Sequence, residues 1–465
     1  VRYVSTRGQA PVRDFSQVLL AGLAEDGGLY VPESWPYFSP ADLRALRGVP
    51  YAELAARVLR PFVGQSIPYD ALLAMCRASY AAFDNPAVAP LVQLETGLFS
   101  LELFHGPTLA FKDMAMQLLG RLFDHVLKRE GRRVTIVAAT SGDTGSAAIE
   151  AFRDRAQLDV VILHPNGRTS EVQRRQMTTV LAPNIANIAV DGSFDDCQDL
   201  VKAMFADVPF RTEMNLSAVN SINWARVAAQ IPYYVASAVA LGSPDREVAF
   251  SVPTGNFGNV LAAWAARRIG VPIARLIVGS NRNDILARFL ASNDMTMQPV
   301  EPSLSPSMDI QVSSNFERLL FELLDRDPAA TAAAMKRFRA TGAMGVPDIA
   351  WQRARALFHG FRLDDAGAIA EIRRLHAQGY LADPHSAIGI AAARALPCPH
   401  VPTIAAATAH PAKFPDAMQT ATGQRPPLPQ RLADLYERPE RFTTAPNSLD
   451  AIEAQVRAFS LRNAA

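Results

Sequence analysis

From residue 98 onward, short apolar runs of strand length alternate with longer stretches whose apolar positions recur every three or four residues. This is the pattern of a mostly parallel sheet covered by helices. Residues 98–104 read as a strand, and a helix follows over 112–130, stopped by Gly131 with Lys128 and Arg129 in its last turn. A buried strand at 134–139, a polar loop at 140–145 and the start of a helix at 146–153 come next, then strands at 160–164 and 185–190. One long helix is expected over 223–241. A second strand-loop-helix unit has its strand at 247–252, a Gly-containing loop at 253–259 and its helix at 260–269, with further strands at 274–278 and 403–407. Residues 1–95 differ: short helices are mixed with Pro and Gly, and strands do not alternate with helices. The pattern predicts an α/β fold preceded by an N-terminal lobe of residues 1–95.

At 465 residues the chain exceeds one ordinary core, so two or three domains are expected. With 49% apolar and 20% charged residues and a net charge of +1, it reads as globular, with no electrostatic reason to bind nucleic acid. Cys76, Cys197 and Cys398 are odd in number and widely spaced, which suits reduced thiols packed inside a cytoplasmic protein. No basic segment followed by an apolar stretch opens the chain, and no apolar run reaches the roughly 18 residues of a membrane span. Neither export nor membrane insertion is expected, and no His/Cys spacing suggests a metal site.

Only five lysines occur, so each can be weighed. Lys112 stands apart, at a strand-to-helix junction between Leu109-Ala-Phe111 and Met114-Ala-Met116. An amine in apolar surroundings has a lowered pKa, and more of it is free to attack a carbonyl carbon, as a Schiff-base lysine must. Taken alone, the local sequence favours the plainer alternative, a stem packed on the core with its head in water or paired with Asp113.

Two loops carry candidate binding chemistry. Thr254-Gly-Asn-Phe-Gly-Asn259 lies between a buried strand and a helix, where Gly255 and Gly258 let backbone N–H groups approach a phosphate at the positive helix end. The alternative is a helix-capping turn using Asn256 or Asn259. Thr140-Ser-Gly-Asp-Thr-Gly145 follows another strand and offers hydroxyls and N–H groups suited to a carboxylate, or else an N-cap supplied by Ser141 or Asp143. Neither loop matches a nucleotide-binding fingerprint, which argues against nucleotide hydrolysis and against a dinucleotide-dependent oxidoreductase.

The combination is more specific than its parts. Phe104-His-Gly-Pro-Thr-Leu-Ala-Phe-Lys-Asp113, then T-S-G-D-T-G, then G-N-F-G-N, then Ala407-Thr-Ala-His-Pro411, resembles the threonine synthase family. Arg2-Tyr-Val-Ser-Thr-Arg-Gly8 and Leu23-Ala-Glu-Asp-Gly-Gly-Leu-Tyr-Val-Pro-Glu33 are similar to the N-terminal region of the same family, in its long bacterial and fungal form. The resemblance implies a pyridoxal phosphate enzyme of fold type II, with two α/β lobes like those of tryptophan synthase β. The large, cofactor-binding lobe would comprise residues 96–133 and 242–465, and the small lobe residues 134–241. A monomer is favoured over a dimer, and the effector site that the plant form carries in its own extension is not expected.

By the same resemblance, Lys112 would form the Schiff base and shuttle protons. Gly255, Asn256, Phe257, Gly258 and Asn259 would bind the cofactor phosphate, and Thr408 its pyridine nitrogen. Asp143 stands where relatives often place an Asn against the cofactor's phenolic oxygen; it must be protonated, face elsewhere or leave that role, since an ionised Asp donates no hydrogen bond. Thr140, Ser141 and Thr144 would grip the substrate carboxylate. The substrate phosphate would meet Asn220, Ser221, Asn223, Arg226 and Lys413, with helix capping the alternative for Asn220 and Ser221 and a surface ion pair the alternative for Arg226. Asp383, His385 and His105 are candidates to line the site, with structural hydrogen bonding the plainer role for each histidine. The implied reaction converts O-phospho-L-homoserine and water into L-threonine and phosphate. The competing readings are a sibling dehydratase or cysteine synthase and a non-catalytic relative that binds pyridoxal phosphate.

Overall fold

The alternation of strands and helices resolves into two separate sheets. A computed structural model describes residues 1–464 of the chain, with side chains through residue 460. The larger sheet has six strands, in the order Phe358–Arg362, Ile273–Ser280, Val248–Pro253, Thr403–Ala407, Leu98–Glu102, Leu91–Glu95. All neighbours are parallel except the last pair. The smaller sheet is wholly parallel, in the order Thr443–Pro446, Ile185–Asp191, Leu158–Pro165, Val134–Ala139, Leu216–Ser217. Central strands of both sheets are buried on both faces, as parallel strands covered by helices must be.

Two strands fall outside the lobe bounds expected from sequence. Leu91–Glu95 turns back through Thr96-Gly97, with Gly97 at φ 77°, and joins the larger sheet. Thr443–Pro446 joins the smaller sheet instead of the larger. Only Ala445 of that strand is buried, and what draws it there is the following helix Leu449–Ala464, whose Ile452 and Val456 pack with Cys197 and Leu200 on the smaller sheet.

The helix expected over 223–241 is two helices, Trp224–Ala228 and Ile231–Ala240. Pro232 sits in the first turn of the second, where its missing N–H is tolerated, whereas a continuous helix would need that donor. Helix Lys112–Glu130 ends as expected on Gly131 in the left-handed conformation. Near its middle, Gly120 lies against the Ala151 carbonyl of helix Asp143–Phe152.

The N-terminal segment forms a two-stranded antiparallel ribbon, Tyr3–Ser5 with Tyr30–Pro32, and four helices. Its aromatic side chains enter the main core: Trp35 meets Trp224 and Trp264 at 5.8 and 5.2 Å, and Phe62 meets Trp224 at 6.0 Å. Cys76 and Cys197 are free and buried, and Cys398 is free and half-buried. Among the described residues no helix is long and apolar enough to cross a membrane.

Candidate active site

Three adjacent parallel strands of the larger sheet, Val248–Pro253, Thr403–Ala407 and Leu98–Glu102, deliver the Gly loop, Thr408 and the approach to Lys112 at their carboxyl ends. The T-S-G-D-T-G loop and the segment around Asn220 leave the carboxyl ends of two neighbouring strands of the smaller sheet. A crevice at such strand ends is where open α/β sheets bind ligands.

Lys112 is the first residue of its helix. The chain reaches it through Leu109, held at φ 62°, a conformation a bulky side chain adopts only under constraint. That constraint is visible: the Phe111 N–H donates to the Thr408 carbonyl at 2.8 Å, the His410 N–H donates to the Leu109 carbonyl at 3.0 Å, and the Leu109 side chain packs among Val172, Leu432 and Leu435. Lys112 does not pair with Asp113. Consecutive helical positions diverge, and Asp113 instead accepts from the Thr108 N–H and hydroxyl, both at 2.7 Å. Burial pushes the Asp113 carboxyl up to about 6.

The Lys112 side chain is only 13% exposed, and its Nζ lies 3.5 Å from Asp143 Oδ2 and 3.5 Å from Ser307 Oγ. Burial depresses its basicity; Asp143 opposes that shift, and Lys413 and Arg226 add to it. Burial also opposes the charge on Asp143, but Lys413 and Lys112 outweigh it and hold that carboxyl well below the usual carboxylate range. Asp143 is therefore ionised, with Oδ1 accepting from Gln173 Nε2 at 2.9 Å and facing Lys413 Nζ at 2.8 Å.

In the Gly loop, Phe257 takes φ 62° and starts helix Gly258–Arg268, leaving the first-turn N–H groups without intrahelical partners. No side chain caps this helix, so the capping alternative for Asn256 and Asn259 is not realised. The loop is braced from behind. Ser313 Oγ donates to the Gly255 carbonyl at 2.7 Å, the Asn315 N–H donates to the Asn256 carbonyl at 3.1 Å, and Phe257 packs on Phe316 and Phe358. Asn259 Oδ1 accepts from Tyr233 and Tyr234, while its buried Nδ2 has no partner among the described residues. A Cβ on Gly255 would sit 2.8 Å from the Ser307 carbonyl, so this loop tolerates no side chain there.

Several of the expected ligands also hold neighbouring protein groups in place. The Thr140 hydroxyl accepts from the N–H groups of Gly142 and Gly145 at 3.0 and 2.9 Å and so shapes its own loop. Among the described residues the Ser141 and Thr144 side chains have no partner, and the helix they open has no side-chain cap. Asn223 is occupied at both ends, accepting from the Ala225 N–H and donating to the Leu19 carbonyl, each at 2.9 Å. Lys413 is wholly buried, bound to Asp143 and to the Thr108 carbonyl at 2.7 Å. Arg226 is buried, donates to the Val219 carbonyl at 2.8 Å, and leaves its Nε unpaired among the described residues. Burial pulls its guanidinium down to about 10. Ser221 Oγ meets Ser314 Oγ at 3.4 Å, and Asn220 is exposed.

Ser307, Gln173, Ser313, Asn315 and Arg318 were not singled out from sequence. The stretch of residues 303–315 has no helical or strand period; its only signal is its density of serines. His385 does reach this region: its Nδ1 pairs with Asp383 at 2.7 Å, and its Nε2 accepts from the Ser307 N–H at 3.3 Å. Ser386 links Asp383 to the Thr408 N–H, which donates to Ser386 Oγ at 2.9 Å. His105 pairs with Glu102 at 2.8 Å.

Three family models match the chain: the threonine synthase N terminus over residues 2–80, pyridoxal-phosphate-dependent enzymes over 85–344, and the threonine synthase C-terminal region over 386–456. The threonine synthase of Pseudomonas aeruginosa is 55% identical over 463 residues, covering 98% of each chain. The chain belongs to the threonine synthase family. The crystal structure of pyridoxal-phosphate-bound threonine synthase from Brucella melitensis superposes with a TM-score of 0.97 at 52% identity, and that of yeast threonine synthase with 0.94 at 36%; each comparison covers 99% of both chains.

Like the rest of this family, the chain is a pyridoxal-phosphate-dependent enzyme of fold type II. Its residues suit that cofactor. An amine whose basicity is depressed by burial, beside a carboxylate, fits the aldehyde, and a braced loop at a helix N-terminus, with a glycine where any Cβ would collide, fits the phosphate.

Proposed function

We propose that the chain converts O-phospho-L-homoserine and water into L-threonine and phosphate, with Lys112 as the proton carrier. The observation that carries this reading is the Lys112 amine, buried between Asp143 and Ser307 at the mouth of the Gly loop, with its basicity depressed. Pyridoxal phosphate, when bound, supplies an electron sink for negative charge developing at the substrate Cα. Lys112 removes the Cα proton and then serves the Cβ position; one mobile amine suits a reaction that moves protons at neighbouring carbons. The N–H groups of Gly255, Asn256, Phe257, Gly258 and Asn259 would hold the cofactor phosphate. The Thr408 hydroxyl, without a protein partner among the described residues, would hydrogen-bond the pyridine nitrogen.

Ser141 and Thr144 take the substrate carboxylate on a loop shaped by Thr140. Arg226, Ser221 and Asn220 take the substrate phosphate, and Asn223 holds the start of the helix that carries Arg226. The buried guanidinium with a free Nε favours a phosphorylated substrate over that of a dehydratase. We assign Leu91–Glu95 to the large lobe and residues 443–464 to the small one, and we expect a cytoplasmic monomer, testable by light scattering. The deciding experiment supplies phosphohomoserine to the cofactor-loaded protein and measures both products. Equal release of phosphate and threonine is expected; phosphate released with a 2-oxo acid instead overturns the reading.

A further inference from the structure

We propose that Lys413 is a positioning residue: its buried ammonium is the standing counter-ion of Asp143, so that Lys112 can give up and take back a proton beside that carboxylate without leaving it unpaired. This rests on Lys112 being the proton carrier.

Asp143 is only 6% exposed and touches two lysines through different oxygens, Lys413 at 2.8 Å and Lys112 at 3.5 Å. A buried carboxylate stripped of its only cation is strongly destabilised. Lys112 has to be an uncharged nucleophile in one part of turnover and a proton donor in another, so it cannot be the constant partner. Lys413 can be. Its side chain is 0% exposed, and it is anchored to the Thr108 carbonyl in the loop leading to Lys112. Its own turn, Pro411–Lys413, is held where His410 Nδ1 accepts from the Ala412 N–H at 3.1 Å.

The charged groups facing this cluster come from every element packed on it. Lys112 feels Asp143, Lys413 and Arg226. Lys413 faces Asp143 and acts on Asp113 through space. Gln173 and Ser307 add neutral hydrogen bonds.

The test follows the cofactor's visible absorbance against pH in the loaded enzyme, in the wild type, Lys413→Met, Asp143→Asn and the double variant. Removing the cation raises the midpoint, removing the anion lowers it, and removing both returns it toward the wild type. Lys413→Met also lowers kcat with little change in KM, because a positioning residue acts through Lys112 rather than by binding substrate. A midpoint in Lys413→Met that is unmoved or lowered overturns the proposal, as does a loss confined to KM. Should Lys413→Met not fold, the double variant decides: a folded, cofactor-loaded double variant supports the charge pairing, and an unfolded one counts against it. Wild-type protein that makes no threonine from phosphohomoserine would sink the functional reading itself; turnover with unmoved titrations sinks only this proposal.

Discussion

Arg318 Nη1 donates to Asn315 Oδ1 at 2.5 Å, and Asn315 Nδ2 in turn donates to the carbonyls of Ser221 and Asn256 at 3.0 Å each. The buried guanidinium also reaches the carbonyls of Tyr30 and Ile222 at 2.9 and 2.6 Å and lies 5.6 Å over the Trp224 ring. One side chain thus ties the N-terminal lobe to the two loops assigned to the cofactor and substrate phosphates. Each buried acceptor left unpaired costs about 1–3 kcal/mol, so Arg318→Met is expected to destabilise the apo protein by at least about 3 kcal/mol in urea unfolding. It is also expected to weaken pyridoxal phosphate binding. Lys at this position restores part of both, since one ammonium cannot span three directions. Cofactor affinity that holds while stability falls would break the link to the phosphate loop.

Gly120 governs how closely the helices that begin with Lys112 and Asp143 approach. A Cβ there would land on the Ala151 carbonyl, well inside van der Waals contact. Alanine's better helix propensity, worth about 1 kcal/mol, is therefore outweighed, and Gly120→Ala is expected to lose about 1–3 kcal/mol in urea unfolding. Because both helices start at the site, kcat should fall with it. A variant as stable as the wild type would mean that the two helices part without strain.

Much of the architecture was legible because its signals are local. Helix Lys112–Glu130 carries its own stop in Gly131, and Thr403–Ala407 is a short apolar run between turn signals, so both emerged at their observed bounds. The break before Ile231 was also written in the chain, at Pro232, but apolar positions on either side of it masked it. Thr443–Pro446 had no such signal: four mostly exposed residues form an edge strand only because a distant sheet offers a partner. The site divides in the same way. Lys112 and the two loops belong to recognisable motifs, whereas the pairing of Lys112 with Asp143 and Ser307 arises when separate elements pack together. Local sequence pointed to Asp113, which helical geometry turns away.

His410 is expected to make the protein acid-sensitive. Burial, reinforced by nearby His105, pushes its imidazole down to about 4. The unfolded chain, with a value of about 6.5, binds the proton more readily, so this contribution to stability is present above about pH 6.5 and is lost as pH falls toward 4. His410→Asn keeps an acceptor for the Ala412 N–H and removes the titration. Unfolding free energies at about pH 7 and about pH 5 should then converge relative to the wild type. An unchanged difference between the two pH values would assign the acid sensitivity to other groups.

Thr408 is held by its backbone alone. Its N–H donates to Ser386 Oγ at 2.9 Å and its carbonyl accepts from the Phe111 N–H at 2.8 Å, while the hydroxyl has no protein partner among the described residues. Replacing that hydroxyl by a methyl group in Thr408→Val keeps the volume and leaves both backbone bonds intact, so apo stability is expected to change little. If the hydroxyl serves the cofactor's pyridine nitrogen, the variant loses one neutral hydrogen bond, about 0.5–1.5 kcal/mol, and the cofactor dissociation constant rises up to about tenfold. Thr408→Ser, which restores the hydroxyl, should bind nearly as well as the wild type. Equal cofactor affinity in the Val and Ser variants would remove Thr408 from the cofactor contacts and leave its role to the backbone that orients Lys112.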